Sequence, residues 1–170
     1  MDFKKIIRDI PDFPKKGIVF RDITTVLKDG DALESAIDEM KKFIAGKKFD
    51  FIVSPEARGF IFGMPLAYSL KKGFIPIRKK GKLPADTFQE SYDLEYGHDI
   101  IEIHKDAVSD GAGVYIVDDL LATGGTAKVA AKLIEKAGGN VKGFIFFIEL
   151  ENLMGREALS EYDVFSVVKY

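Results

Sequence analysis

Residues 114–128 read VYIVDDLLATGGTAK: an apolar run, two adjacent aspartates, a small flexible turn and then a helical pattern. A short apolar run closed by a turn reads as a buried strand, and residues 126–137 keep Val129, Ala130, Leu133 and Ile134 on one helical face. Gly138-Gly139 stops that helix, and VKGFIFFIEL (141–150) is another buried strand. Strands that alternate with helices predict a parallel sheet covered on both faces. Ligands of such sheets bind beyond the carboxyl ends of the strands, which is where Asp118 and Asp119 fall.

The rest of the chain extends the same pattern. Residues 31–45 put Leu33, Ala36, Ile37, Met40, Phe43 and Ile44 on one helical face, and Asp31 followed by Glu34 resembles a capping box. DFIVS (50–54) and FIPIR (74–78) read as strands around an apolar helix, GFIFGMPLAYSL (59–70). HDIIEIH (98–104) alternates as a strand does, and the final DVFSVVKY suits an edge strand. The opening MDFKKIIRDI reads as a short amphipathic helix. Between 79 and 97, KKGKLPADTFQESYDLEYG keeps no period and predicts a long exposed loop or hairpin, a kind of segment that is usually functional or disordered.

Composition narrows the function. A chain of 170 residues with 46% hydrophobic and 31% charged residues fits one globular α/β domain. A net charge of -2 gives no general affinity for nucleic acid or membranes. Without cysteine there is no disulfide framework, thiolate metal site or cysteine nucleophile, and His98 and His104 are too few for a histidine-rich site. The start lacks the apolar core of a signal peptide, and no run of about 18 apolar residues occurs, so a cytoplasmic protein is expected.

Ala122-Thr123-Gly124-Gly125-Thr126 joins a strand end to a helix start. Glycine lets backbone N–H groups converge on one point, and a helix amino terminus adds partial positive charge, so a phosphate monoester suits this turn. Two acids beside it would repel a polyphosphate but can accept hydrogen bonds from ribose hydroxyls. Successive strand side chains point to opposite faces, so both aspartates are expected to reach a ligand only if the strand ends near Asp118. The order of Gly124-Gly125-Thr126-Ala127-Lys128 is wrong for a P-loop, and Gly111 and Gly113 precede a strand instead of following one. A phosphorylated ribose is the ligand these residues describe.

The stretch VDDLLATGGT resembles the phosphoribosyl pyrophosphate signature of the type I phosphoribosyltransferases, in the wording of members that act on adenine. FPKKGIVFRDITTVLKD (13–29), EARGFIFG (56–63), IRKKGKLP (77–84), YDLEYGHDIIEIHKDAV (92–108) and MGREAL (154–159) extend the likeness over nearly the whole chain. It implies the type I fold as one domain, 1–170: a central parallel sheet flanked by helices, a small hood mainly from 1–30 and part of 150–170, and a flexible active-site loop at about 79–97. It also implies transfer of a 5-phosphoribosyl group from phosphoribosyl pyrophosphate to adenine N9, giving AMP and pyrophosphate. Magnesium (Mg2+) would be held mainly by substrate oxygens and water, with no metal site made by the protein. A cation reaching in from a neighbouring subunit would imply a homodimer, without nucleic acid or membrane partners.

Carried over residue by residue, Asp118 and Asp119 would take the ribose hydroxyls, and Ala122, Thr123, Gly124, Gly125 and Thr126 the 5-phosphate. Glu56, Ala57, Arg58, Arg78 and Lys82 would form the pyrophosphate end, with a cis peptide near Glu56-Ala57. Val19 and Arg21 would read the adenine edge through their backbones, Phe20 would stack on the ring, and Leu153 would cover its other face. Glu95 would be general acid/base and Tyr96 a shield against water, with Arg58 and Lys82 as catalytic cations. Taken alone, Phe20 is equally a core residue, the cluster Arg78, Lys79, Lys80 and Lys82 a solvated loop, and Glu95 a surface glutamate.

Three rivals stand beside this reading. Related transferases act on 6-oxopurines, but some carry a phosphate-loop carboxylate where this chain has Ala122. A non-catalytic regulator that senses phosphoribosyl pyrophosphate would carry a DNA-binding segment, and about a dozen residues precede FPKKGIVF, too few for one. A plain phosphate-binding domain would leave Glu95, the basic cluster and residues 17–22 unexplained.

Overall fold

In the computed structural model, which describes residues 1–94 and 97–170, the chain divides into two units, Met1–Glu39 and Met40–Tyr170. The first unit begins with a single 3-10 turn, Phe3–Lys5, not the amphipathic helix expected there. The chain then extends as β1 (Arg8–Pro11) and pairs antiparallel with β2 (Val19–Asp22), Ile10 opposite Phe20 and Asp9 opposite Arg21. Pro11 and the β-branched Ile6-Ile7 disfavour a helix. Tertiary pairing completes the override, because Arg8 Nε donates to Asp22 Oδ2 at 2.9 Å. Asp22 also accepts from the Thr24 backbone and hydroxyl, each at 2.9 Å. That backbone N–H first, and then the Arg8 guanidinium, lower its carboxyl to about 2.

After α1 (Thr24–Leu27) comes α2 (Gly30–Ile44), and its cap is Asp29, not Asp31: Ala32 N–H donates to Asp29 Oδ1 at 3.0 Å. Asp31 lies inside the first turn, where a negative charge faces the positive end of the helix dipole.

The second unit runs β3 (Phe51–Pro55), α3 (Arg58–Leu70), β4 (Gly73–Lys79), β5 (Thr87–Leu94), β6 (Gly97–His104), β7 (Gly113–Leu121), α4 (Gly125–Lys136), β8 (Asn140–Glu149) and β9 (Val164–Lys169). These strands form one seven-stranded sheet in the order β5-β6-β4-β3-β7-β8-β9. β4, β3, β7, β8 and β9 are parallel, and the β5–β6 hairpin adds two antiparallel strands at one edge. The expected central parallel sheet and the edge strand at the end of the chain are therefore present, and residues 87–94 are strand. The stretch 150–170 belongs to this unit, with β9 in its sheet.

β7 and β8 carry continuous apolar runs because both of their faces are covered. On one face Phe62 of α3 stacks on Phe147 at 4.8 Å between ring centres. On the other, Ala130, Leu133 and Ile134 of α4 join Phe144 and Phe146 in the core. Gly59 and Gly63 let α3 lie close to the sheet: a Cβ on Gly63 would overlap Ser54 Oγ, and one on Gly59 would come within 2.9 Å of Asp118 Oδ1. No helix among the described residues is long and apolar enough to cross a membrane.

Candidate active site

Parallel pairing sets the site. β3 and β7 run side by side, Phe51 opposite Val114 and Val53 opposite Ile116, and each turns into a helix at its carboxyl end. Pairing between them stops at Ile116, while β7 continues beside β8 as far as Leu121 opposite Glu149. The strand does not end near Asp118, as the alternation of side chains had required. Instead β3 leaves that edge of β7 open, and both aspartates line one cavity.

The cavity holds about 280 Å³ and is lined by Pro55–Arg58 on one side and Asp118–Ala127 on the other. Arg58, at the first position of α3, reaches across to Asp119, Nε to Oδ2 at 2.7 Å, where Asp119 is buried. Asp118 Oδ1 accepts from the Asp119 backbone N–H at 2.8 Å. Burial and then the negative charge of Asp119 push the Asp118 carboxyl well above the usual carboxylate range. The two acids therefore differ: Arg58 pairs with Asp119, while burial and the neighbouring charge disfavour the ionised form of Asp118. Two carboxylates in those states suit vicinal hydroxyls better than a bare divalent ion. No group of three or more metal-ligating side chains occurs among the described residues.

Opposite the acids, Gly124 takes φ 82 at the start of α4, a left-handed conformation that glycine adopts without strain. No side chain among the described residues caps this helix, and its first residues line the cavity together with Thr123. The loop is braced from behind. Leu150 N–H donates to Leu121 O at 2.9 Å, and a Cβ on Gly124 would sit 2.6 Å from Gly155 O. Gly155 thus packs backbone to backbone on the loop before α4. Arg156 holds that turn in place by donating to both Glu149 carboxylate oxygens, at 2.6 and 2.8 Å, and to Val164 O at 2.8 Å.

The basic cluster gathers at Glu56 and the turn beyond β4. The Glu56–Ala57 peptide is cis. Arg78 Nε donates to Glu56 Oε2 at 3.0 Å, and Lys79 N–H binds the other oxygen. Burial raises the Glu56 carboxyl, but the Lys79 amide and the Arg78 guanidinium outweigh it and leave it below the usual range. Arg78 and Lys82 do not line the cavity itself. Leu153 is exposed in the Glu151–Leu153 turn after β8. Val19, Phe20 and Arg21 lie on β2 of the first unit, Phe20 edge-on to Phe13 with ring centres 5.3 Å apart and Arg21 paired with Asp9. Glu95 and Tyr96 lie outside the described residues.

Sequence reasoning passed over Glu102, Gly155 and the Arg156–Glu149 pair. MGREAL carried the signal for two of them, but their role depends on which loop folds against which.

A phosphoribosyl transferase domain model matches residues 23–168. The adenine phosphoribosyltransferase of Clostridium perfringens is 58% identical over 170 residues, covering 100% of this chain and 99% of that protein. Among solved structures, the adenine phosphoribosyltransferase of Thermoanaerobacter pseudethanolicus is 57% identical with a TM-score of 0.96, over 99% of this chain and 98% of that one. The Saccharomyces cerevisiae enzyme, solved with adenine and an imino-altritol bisphosphate, is 39% identical with a TM-score of 0.92, over 98% of this chain and 96% of that one.

Proposed function

The chain belongs to the phosphoribosyl transferase family, and from that premise we propose how its residues carry out the adenine phosphoribosyltransferase reaction. The 5-phosphoribosyl group passes from phosphoribosyl pyrophosphate to adenine N9, giving AMP and pyrophosphate, a purine-salvage step. One observation carries the assignment of roles: the acid pair, Arg58 and the uncapped start of α4 line a single cavity.

Amides and hydroxyls of Ala122–Thr126 take the 5-phosphate. Asp118 and Asp119 take the ribose 2- and 3-hydroxyls, directly or through water. As N9 bonds to C1 of the ribose, the bond from C1 to the pyrophosphate oxygen breaks and its electron pair leaves with pyrophosphate. Positive charge develops on the ribose ring, so orienting the base and stabilising the leaving anion are the chain's main tasks. Arg58, Arg78, Lys82 and the backbone at Glu56-Ala57 serve that anion. Bound with the substrate, magnesium would neutralise pyrophosphate charge, and Asp118 and Asp119, engaged with a backbone amide and with Arg58, would face its water shell.

Adenine is read by β2. A two-stranded ribbon turns alternate N–H and C=O groups of each strand away from its partner, which suits backbone reading by Val19 and Arg21. Phe20 stacks on the ring. Adenine N1 accepts and its amino group donates; a 6-oxopurine reverses that pattern and would leave buried groups unpaired. Glu95 exchanges the proton at N7, and Tyr96 excludes water from the sugar donor.

The same reading makes the protein a cytoplasmic homodimer. Ile61, Met64 and Tyr68 are exposed on one side of α3, an apolar stripe of the kind a second copy would cover. The deciding assay offers phosphoribosyl pyrophosphate and magnesium with adenine, hypoxanthine, guanine or xanthine separately. AMP formation from adenine alone is expected. Turnover of a 6-oxopurine would overturn the base site, and donor binding without any turnover would favour a sensor.

A further inference from the structure

Glu102 is a charged side chain outside the cavity that the chemistry above does not use. It lies on β6, 2% exposed, between Arg78 on β4 and Gln89 on β5 in the strand register. Its Oε1 accepts from the backbone N–H groups of Lys82 and Leu83, both at 3.0 Å. Its Oε2 accepts from the Thr87 hydroxyl at 3.3 Å and the Gln89 amide at 3.2 Å. The turn above is closed by Lys82 N–H to Lys79 O at 3.2 Å, with Gly81 at φ 80, so successive amides point down onto one carboxylate. Such a nest of N–H groups is an anion site, and here the anion is the protein's own. Burial would raise this carboxyl, but the amides of Leu83 and Lys82 and the Thr87 hydroxyl hold it below the usual range. The charge is therefore kept where it anchors the turn.

We propose that Glu102 is a positioning residue: it fixes the turn 79–83 on the sheet and so sets where Lys82 meets the pyrophosphate. The inference rests on Lys82 being a pyrophosphate contact, as read above. Without the anchor, a glycine-containing turn bearing three cations, Lys79, Lys80 and Lys82, would spread under their mutual repulsion, and the leaving anion would lose a preorganised partner. The 5-phosphate turn on β7–α4 shares no hydrogen bond with Glu102 and would be untouched.

The test measures binding of magnesium pyrophosphate and of AMP separately to the full-length protein carrying Glu102→Gln or Glu102→Asp. Glutamine keeps the reach but loses the charge; aspartate keeps the charge but falls short of the amides. Pyrophosphate binding should weaken about fivefold with Glu102→Gln, the difference between a charge-assisted and a neutral hydrogen bond, and at least as much with Glu102→Asp. AMP affinity should stay within about twofold, and amide exchange at 82 and 83 should rise in both variants. Equal weakening of both ligands, or of neither, would overturn the proposal. Combining Glu102→Gln with Lys82→Ala separates the two readings. If Lys82→Ala alone leaves pyrophosphate affinity unchanged, the role of Lys82 fails. If it weakens binding and the two effects simply add, Glu102 does not act through Lys82.

Discussion

Replacing Gly155 with alanine puts one methyl group between the turn after β8 and the loop before α4. That carbon would overlap the carbonyl oxygen of Ala122 and lie 2.8 Å from Leu121 Cδ1 and 3.0 Å from Leu121 Cγ. Carbon atoms in ordinary contact sit about 3.5 Å or more apart, so the shortfall against Leu121 alone is about 0.7 Å. Leu121 can rotate away, but the Ala122 carbonyl belongs to the loop backbone and moves only with it. A retreat of the loop on the order of 1 Å is expected, at an overpacking cost of about 1–3 kcal/mol. Misplacement of that size at a binding element is worth up to about a hundredfold in rate. Steady-state kinetics should show kcat lowered and the KM for phosphoribosyl pyrophosphate raised, with the KM for adenine less affected. Thermal melting should fall by about 2–4 °C for each kcal/mol lost. Gly30→Ala is the control, since a Cβ there meets nothing within 4 Å. Unchanged kinetic constants in Gly155→Ala would refute the view that this turn sets the loop.

Three further outcomes follow from the geometry. Asp22→Asn should destabilise the protein at neutral pH by up to about 2 kcal/mol, since the folded carboxyl is lowered to about 2 from 3.8. Because the folded value is the lower one, that stability is complete above about pH 4 and disappears as the pH falls through about 2. Melting curves of variant and parent should therefore converge on acidification, and a constant gap would contradict the assignment. Arg156→Ala leaves Glu149, 3% exposed, without its bidentate partner. Denaturant unfolding should register a loss of about 3 kcal/mol, and a neutral result would mean that Glu149 finds another partner or a proton. Glu95→Ala should lower kcat more than it raises the KM for adenine, and an unchanged kcat rules out Glu95 as the acid/base.

Local patterns were most legible where one interaction dominates. The runs 114–119 and 141–150 are apolar because both faces of β7 and β8 are buried, and that is visible without knowing the neighbours. The Asp118-Asp119 pair and the glycine turn were legible for the same reason, since their chemistry is contained in adjacent residues. Residues 1–10 were misread because the Arg8–Asp22 pairing that straightens them lies outside any local window. Residues 79–97 left loop and hairpin undecided because β5 is an edge strand, where exposed positions such as Gln89 and Ser91 are polar and the apolar alternation fades. The Asp29 cap shows the limit of spacing rules: two acids two residues apart both fit a helix start, and only the hydrogen bond to Ala32 decides between them. Glu102 reads from sequence as the polar member of an alternating strand, and its anchoring role exists only once the turn 79–83 folds over it.

The start of α4, where Gly124 offers no side chain to its own helix, would, on the proposed assignment, tie the protein's persistence to its supply of substrate. If the 5-phosphate sits there as proposed, it would supply the acceptors that a serine or aspartate cap would otherwise provide, so the donor would complete a secondary-structure element as well as enter a reaction. Whatever binds only the folded chain stabilises it by RT ln(1 + [L]/Kd), which amounts to about 2.7 kcal/mol at a hundredfold excess over Kd. Stability of that size governs how often the chain opens to proteases. A cell rich in phosphoribosyl donor would keep this enzyme longer, and a starved one would clear it sooner, with no dedicated regulator involved.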